Sequence, residues 1–219
     1  MKLKKTDIFQ VAIDGGGSTG TSTGGKLISK IYGLNFLSSG LLYRYASYKI
    51  IKSKPKNEVI FLKREFKNLD IRKLNKINLH TPLISKHTSI IAKIKKIRVI
   101  LKNYQINFAK KYKRCCIEGR DISTVILPKS DIKFFFVCNL NKAAKRRFLE
   151  LKGIEPRVKF SDVKKALKLR NKSDTKRKNS PLLKHRDAIE IDTGKLRIPA
   201  MVKKMTLIID KEIKKKYGS

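Results

Sequence analysis

Short apolar runs alternate with longer amphipathic stretches along this chain. Five of the runs have the length of strands, and they are Phe9–Asp14, Asn35–Leu37, Cys115–Glu118, Ile132–Cys138 and Ala188–Asp192. The part from Phe134 to Val137 contains no polar residue, as expected of a strand covered on both faces. Strands that alternate with helices predict an α/β fold, with a parallel sheet between two layers of helices.

Apolar residues at intervals of three and four predict helices between these strands. The predicted helices are Thr23–Ile31, Gly40–Lys52, Ile90–Phe108, Asn141–Leu151 and Pro199–Tyr217. A further helix is predicted to begin after Ser161 as its N-cap. Glu58–Leu79 alternates apolar and basic residues and is interpreted as an insert outside the core. Asn171–Ser180 contains no apolar residue, so it is interpreted as an exposed loop or a mobile lid.

The first strand leads directly into a glycine-rich turn, and a helical pattern follows it. This is the layout of a phosphate-binding loop, because glycines let several N–H groups converge on an anion and the helix N-terminus adds partial positive charge. Gly15 and Gly20 have the P-loop spacing, but Thr21 stands where that motif has its lysine. A plain glycine-rich turn therefore remains an alternative interpretation of this stretch.

Length and composition limit the class of protein. A chain of 219 residues with 41% hydrophobic residues suffices for one sizeable core with a lid or an insert. No apolar run has the length of a membrane span, and the charged N-terminal stretch lacks the apolar region of a signal peptide. Cys115, Cys116 and Cys138 show no C-x-x-C spacing, so we expect small buried side chains in a reduced cytoplasm.

The net charge of +37 allows two interpretations. A strongly basic chain is typical of proteins that bind nucleic acid or anionic surfaces. The lysines are nevertheless scattered from Lys2 to Lys216, and isoleucine and asparagine are abundant too, which fits the compositional bias of an AT-rich genome. In either case a positive field would attract phosphorylated substrates.

Seven stretches, in chain order, together resemble the bacterial cytidylate kinases (CMP kinases). AIDGGGSTGTST is similar to the family's loop IDGPSGAGKGT, LSSGLLYR to DSGAIYR, and IEGRDISTVILP to ADGRDxGTVVFP. The remaining matches are HTSIIAKIKKIR, RNKSDTKR, NSPLL and AIEIDT. They extend from about residue 11 to 193, which is nearly the whole chain.

The resemblance implies a P-loop NTPase-type fold with a parallel five-stranded sheet flanked by helices, an NMP-binding insert and a small lid. It implies one domain over residues 1–219, with the core at about 7–45, 105–165 and 185–219, the insert at about 46–104 and the lid at about 166–184. The activity it implies is phosphoryl transfer from ATP, with Mg²⁺, to CMP or dCMP in pyrimidine nucleotide metabolism. A cytoplasmic monomer that binds neither a membrane nor a specific nucleic acid is expected.

The resemblance also implies the site residues. ATP is expected at Gly15, Gly16, Gly17, Ser18, Thr19, Gly20, Thr21, Ser22 and Thr23, with Ser22 or Thr23 near Mg²⁺. CMP is expected at Ser39, Tyr43, Arg44, Ser89, Arg98, Arg120, Asp121, Arg170, Asp174 and Arg177. In the family the equivalents of Ser39, Arg44 and Arg120 hold the CMP phosphate. Those of Ser89, Arg98, Asp121 and Arg177 contact the cytosine. The catalytic residues implied are Arg120, Arg170 and Arg177.

The chemistry of these residues fits that role independently. Arg44 and Arg120 present planar guanidinium groups that match phosphate oxygens. Arg170, Asp174 and Arg177 have the i, i+4, i+7 spacing of one helix face, so a closing lid helix would point all three toward a substrate. A solvated helix with an i,i+4 ion pair explains the same spacing.

One spacing does not fit a single helix. Ser89 and Arg98 are nine residues apart, so they would lie on opposite faces of a straight helix. Either the helix begins after Ser89, or the chain bends between them, or only one of them reaches the base.

Four residues depart from the family pattern, namely Thr21, Ser38, Glu118 and Ser123. The change at Thr21 matters most, since losing one preorganised donor at such a site costs about 10²–10³ in rate. A CMP-binding protein that has lost turnover through Thr21 is therefore an alternative function. A basic nucleic-acid-binding protein is another, but no nucleic-acid-binding motif is recognised in the sequence.

Overall fold

The computed structural model describes Leu3 and residues 6–218, which form two compact units. The first unit contains the residues up to Leu37 and those from Ala109 onward, and the second is Ser38–Phe108. The insert expected at about 46–104 falls inside the second unit. The single-domain organisation and the lid at about 166–184 remain predictions.

A five-stranded sheet has the order β2-β3-β1-β4-β5. Its strands are β1 (Phe9–Gly15), β2 (Asn35–Ser38), β3 (Arg114–Gly119), β4 (Ile132–Val137) and β5 (Ile189–Asp192). The β1–β3, β1–β4 and β4–β5 pairs are parallel, with Asp14 opposite Gly119. All five predicted strands and the α/β class are confirmed, and β1 and β3 end at the same edge of the sheet.

The described part of the chain contains eight α-helices. They are α1 (Thr21–Tyr32), α2 (Ser39–Ser53), α3 (Glu58–Lys67), α4 (Pro82–Ile91), α5 (Lys95–Lys111), α6 (Leu140–Lys152), α7 (Phe160–Lys176) and α8 (Ile198–Tyr217). A 3₁₀ helix covers Ile71–Lys76, and a π-helical turn covers Ile122–Ile126. None of the described helices has both the length and the apolar character needed to cross a membrane.

The core of the first unit lies between the sheet and the helices α1 and α8. Phe9 of β1 and Phe134 of β4 are fully buried and belong to one cluster with Ile28, Met205 and Ile209. Full burial of an apolar side chain of this size contributes about 1.5–3 kcal/mol to stability. This packing holds β1, whose carboxyl end leads into the glycine-rich turn, against β4.

The cysteine prediction is confirmed for two of the three side chains. Cys115 and Cys116 of β3 are buried, whereas Cys138 is partly exposed, and all three are free thiols. Burial raises the pKa of the Cys115 thiol to about 12 and raises the pKa of Cys116 as well. Both therefore stay protonated at neutral pH and pack as small apolar side chains.

The predicted continuous helix over Ile90–Phe108 is wrong. Helix α4 ends at Ile91 and α5 begins at Lys95. Two i→i+3 bonds tighten the chain between them, because the N–H groups of Lys93 and Ile94 donate to the carbonyls of Ile90 and Ile91. Ile90 and Ile94 kept the helical period in the sequence, yet both side chains are exposed.

Two predictions about α7 need correction. The helix begins at Phe160 after Lys159, which provides no side-chain cap, so Ser161 is not its cap. It ends at Lys176, and Arg177 has an extended backbone. Arg170, Asp174 and Arg177 therefore do not form one continuous helical face, since the third residue follows the helix end.

Candidate active site

The glycine-rich turn has the geometry of a strand–loop–helix anion site. Ser18 and Gly20 have positive φ angles of 57° and 93°, and α1 begins directly afterwards at Thr21. Glycine adopts such a φ without a steric cost. The Thr193 hydroxyl donates to the Thr19 carbonyl at 2.6 Å and fixes the loop against the end of β5. The first turn of α1 thus presents its N–H groups at the end of β1, where the sequence predicted a phosphate.

Thr21, which stands at the lysine position, is bonded to a buried carboxylate. Its hydroxyl donates to Glu118 Oε2 at 2.8 Å, and the Ser22 hydroxyl donates to Glu118 Oε1 at 2.9 Å. Glu118 lies in β3 and is 3% exposed. Two neutral hydroxyls thus hold both carboxylate oxygens, and no cation comes from position 21.

A cluster of arginines and aspartates follows β3 and includes residues from α7. Arg120 Nε donates to Asp174 Oδ2 at 3.0 Å, and Arg177 Nη1 lies 3.5 Å from Asp174 Oδ1. Arg177 Nη2 also lies 3.7 Å from Asp121 Oδ1, and its Nε donates to the Ser180 carbonyl at 2.6 Å. The structure thus brings together all of the site residues predicted after β3 and in the lid segment.

Arg170 is the most loosely paired arginine of this cluster. Its Nε lies 3.9 Å from Asp174 Oδ2. Burial, together with the positive charge of Arg120, lowers the pKa of its guanidinium to about 10. The side chain is still cationic at neutral pH, so it provides a positive charge that a phosphate group would neutralise.

Asp14 anchors the segment that follows Arg120 and Asp121. The carboxylate lies at the end of β1 and accepts from the N–H groups of Ile122 and Ser123, at 2.7 Å each, and from the Ser123 hydroxyl at 2.5 Å. Burial raises the pKa of Asp14 to about 6, and these hydrogen bonds oppose the rise. Ser123, which the sequence marked only as a departure, is therefore a structural donor at the site.

Asn171 contacts the loop, although sequence reasoning did not single it out. The Gly17 N–H donates to Asn171 Oδ1 at 2.9 Å. Asn171 lies in α7, directly after Arg170. Its partner is 154 positions away in the chain, so only its place beside a predicted lid arginine could have drawn attention to it.

In the second unit Arg44 is held by a separate set of bonds. It is 7% exposed, and its Nη1 donates to the Leu79 carbonyl at 3.0 Å and to the Ser85 hydroxyl at 2.8 Å. Ser39, which is also buried, begins the same helix α2. The Ser38 hydroxyl accepts from the Leu41 N–H at 3.3 Å, so this departure from the family's aspartate serves as the helix cap.

The second unit also brings Tyr43 and Arg98 together. The Arg98 guanidinium carbon lies 5.7 Å from the centre of the Tyr43 ring, and Arg98 Nη1 donates to the Ala92 carbonyl at 3.2 Å. Ser89 lies in α4, where its hydroxyl donates to the Ser85 carbonyl at 3.3 Å. Because α4 and α5 are separate helices, the chain bends between Ser89 and Arg98. This was one of the three explanations offered for their spacing of nine residues.

Comparison with known proteins identifies similar sequences over nearly the whole chain. The profile of the cytidylate kinase family matches residues 11–211. The cytidylate kinase of Rickettsia rickettsii (strain Sheila Smith) is 34% identical over 220 residues, covering 97% of this chain and 98% of that protein. The cytidylate kinase of Caldanaerobacter subterraneus subsp. tengcongensis is 32% identical over 221 residues, covering 94% and 96%. None of these comparisons supports a CMP-binding protein without activity.

Solved structures show the same fold at low sequence identity. An uncharacterised protein from Eubacterium ventriosum superposes with a TM-score of 0.55 at 15% identity, over 94% of this chain and 99% of that one. TT1252 from Thermus thermophilus superposes with a TM-score of 0.52 at 14% identity, over 94% and 97%. At such identities the similarity concerns the fold alone.

Proposed function

The chain belongs to the cytidylate kinase family, and we propose that it transfers a phosphoryl group from ATP to CMP or dCMP, giving ADP and CDP or dCDP. The observation that carries the proposal is the arginine cluster beside the phosphate loop in the first unit. Phosphoryl transfer needs positioned donors and positive charge rather than covalent help from the protein. The loop amides and the guanidinium groups of Arg120, Arg170 and Arg177 supply both.

The donor nucleotide is assigned to the loop from Gly15 to Thr23. N–H groups of the first turn of α1 would hold its phosphates, since helix N-termini favour anions. Arg170 would neutralise charge that develops on the transferred group, and Arg120 and Arg177 would act with it. In this proposal Asp174 orients the arginines, because it lies within ion-pair distance of all three.

The acceptor residues are assigned from the family pattern. By that pattern Ser39, Arg44 and Arg120 would hold the CMP phosphate, with Tyr43 next to Arg44 in the sequence. The residues expected to contact the cytosine are Ser89, Arg98, Asp121 and Arg177. No strong general base is needed, because the acceptor phosphate is already an anion.

The residues of the loop fit a magnesium ion. Hydroxyl and carboxylate oxygens are the ligands that Mg²⁺ prefers, and the loop offers Ser22, Thr23 and the carboxylate of Glu118. Among the described residues no group of three or more His, Cys, Asp and Glu side chains surrounds a metal position. In phosphoryl-transfer sites Mg²⁺ is usually held by one or two protein oxygens, substrate phosphates and water. Bound Mg²⁺ would neutralise charge on those phosphates.

The proposal holds that Thr21 does not abolish turnover. The lysine's charge is missing, but Arg170 is next in α7 to Asn171, which contacts the Gly17 N–H, and so provides a cation near the loop. The test is a coupled ADP-release assay with ATP, Mg²⁺ and CMP, run on the native chain and on Thr21→Lys. We expect the native chain to turn over and Thr21→Lys to change kcat by less than about tenfold, since one donor alone is worth 10²–10³ when nothing compensates.

Arg44→Ala serves as the control, because it removes an acceptor-side cation and should abolish most activity with CMP. Turnover by Thr21→Lys alone would contradict the proposal for the native chain. Absence of CDP with both proteins would contradict the assignment of the acceptor residues. We also propose that the protein is a cytoplasmic monomer. Size-exclusion chromatography with light scattering tests its oligomeric state.

A further inference from the structure

One face of α7 packs directly on the phosphate loop. Leu167 and Asn171 are four residues apart, so they lie on the same side of the helix. Leu167 is buried, and its Cδ1 would lie 2.5 Å from a Cβ atom placed on Gly17. A Cβ at position 17 would therefore require at least the Leu167 side chain to move. The helix and the loop are therefore in close contact at two side chains.

The polar half of this contact is a single hydrogen bond. The Gly17 N–H lies on the strand side of the loop, before the turn at Ser18, and it donates to Asn171 Oδ1 at 2.9 Å. The N–H groups of the α1 N-terminus lie on the other side of that turn. Asn171 thus satisfies the N–H of Gly17, whereas the donor phosphates are proposed to bind mainly the N–H groups of the α1 N-terminus.

The ion pairs alone do not hold Arg170 beside the loop. Arg170 lies 3.9 Å from Asp174, whereas Arg120 reaches the same carboxylate oxygen at 3.0 Å. Asn171 is the next residue along the helix and is fixed to the loop backbone. Because the helix is rigid over one residue, a bond at Asn171 also restricts the backbone of Arg170.

We propose that Asn171 is a positioning residue, which ties α7 to the phosphate loop and so keeps Arg170 beside the site of phosphoryl transfer. The catalytic consequence of this inference rests on the proposed kinase function, whereas the contact between Asn171 and the loop does not. A neutral acceptor at this position binds the loop N–H without adding a negative charge beside the donor phosphates. Asn171 therefore acts through Arg170 and the loop rather than on the substrate.

The first experiment measures the contact without any need for turnover. Hydrogen–deuterium exchange, followed by mass spectrometry, is recorded for peptides covering 15–22 and 165–177 in the native chain, Asn171→Ala, Asn171→Asp and Lys172→Ala. We expect faster exchange in both peptides for Asn171→Ala only, because the carboxylate of Asn171→Asp can still accept from the Gly17 N–H. Lys172→Ala is the matched control on the exposed side of the same helix.

The second experiment measures catalysis. Alanine favours helix more than asparagine, so Asn171→Ala leaves α7 intact and removes only the acceptor. A hydrogen bond of this kind is worth about three- to tenfold in an equilibrium. We therefore expect kcat to fall about three- to tenfold, with a smaller change in the KM for ATP and a fall of the thermal midpoint by no more than about 2–4 °C. Lys172→Ala should keep the native kcat.

The outcomes separate this inference from the proposed function. If the exchange pattern appears as expected but no variant and no native protein forms CDP, the contact holds and the kinase assignment fails. Native exchange rates in Asn171→Ala would overturn the inference. So would an increase in exchange over 165–177 when ATP is added to the native chain, because the donor would then displace Asn171 rather than act beside it.

Discussion

Asp14 and Glu118 are buried carboxylates in neighbouring strands, and each is held by donors from one functional segment. Asp14 binds the residues after Arg120 and Asp121, whereas Glu118 binds the first turn of α1. Both sets of bonds fix the segment that provides the donors, because a buried carboxylate requires its hydrogen bonds. At the residue scale the site is therefore positioned by acids that do not themselves touch a substrate in the proposed reaction.

Removing the Ser123 hydroxyl tests the first of these anchors. At pH 7 the Asp14 carboxylate is largely ionised, since burial raises its pKa only to about 6. Hydrogen bonds to charged groups contribute about 1.5–3 kcal/mol. We expect Ser123→Ala to lower the free energy of unfolding by about that amount in urea titrations.

The neighbouring Thr124→Val is the matched control for this change. The Thr124 hydroxyl is buried and has no hydrogen-bond partner in the described part of the chain. Its replacement by an apolar group of the same shape should therefore be neutral or slightly stabilising. An equal decrease in the free energy of unfolding for both variants would show that any substitution in this segment is destabilising. The hydrogen bond to Asp14 would then make no specific contribution.

At the scale of elements, the local pattern predicted the strands but not where two of the helices end. A strand such as Phe134–Val137 is recognisable because its whole length is apolar. The break between α4 and α5 was not, since Ile90 and Ile94 continue the helical period while their side chains are exposed. The end of α7 before Arg177 was likewise hidden, because the segment offers neither glycine nor proline as a stop signal.

Helix α8 closes one side of the core, and its periodicity provides a stability test. Ile209 is fully buried, whereas Leu207 in the same helix is 63% exposed. Replacing a buried isoleucine by alanine removes apolar contacts and leaves a cavity. We expect Ile209→Ala to cost about 2–5 kcal/mol.

Leu207→Ala should change the free energy of unfolding by less than about 0.5 kcal/mol. The two variants are compared by urea denaturation with an unchanged m-value. Similar losses for both would indicate that α8 presents a different face to the sheet.

At the scale of the whole molecule, the sequence predicted a set of site residues but not the contacts that hold them. The predicted residues lie in continuous motifs, so their spacing was visible. The contacts of Asn171 with Gly17 and of Arg44 with Leu79 join distant parts of the chain, and a single sequence does not reveal such pairs. The same limit applies to the net charge of +37, whose distribution depends on the fold.

That charge predicts a dependence of stability on salt. The chain has 54 basic and 17 acidic side chains, and repulsion among the excess positive charges opposes the compact state. Added salt shortens the Debye length and so screens this repulsion. We expect the urea midpoint to rise when sodium chloride is increased from about 0.02 M to about 0.3 M. An equal concentration of neutral sugar, adjusted for its own stabilising effect, is the control. A midpoint that falls with salt would show that favourable ion pairs outweigh the repulsion.

The bond between Thr21 and Glu118 means that these two positions cannot be read or engineered one at a time. A lysine introduced at position 21 removes one of the two hydroxyl donors of Glu118 and brings an ammonium group beside the carboxylate, so its effect depends on the residue at position 118. Residues in direct contact show non-additive effects of mutation. Positions 21 and 118 therefore form one epistatic unit, and restoring the lysine is a question about a pair of residues, 97 positions apart in the chain.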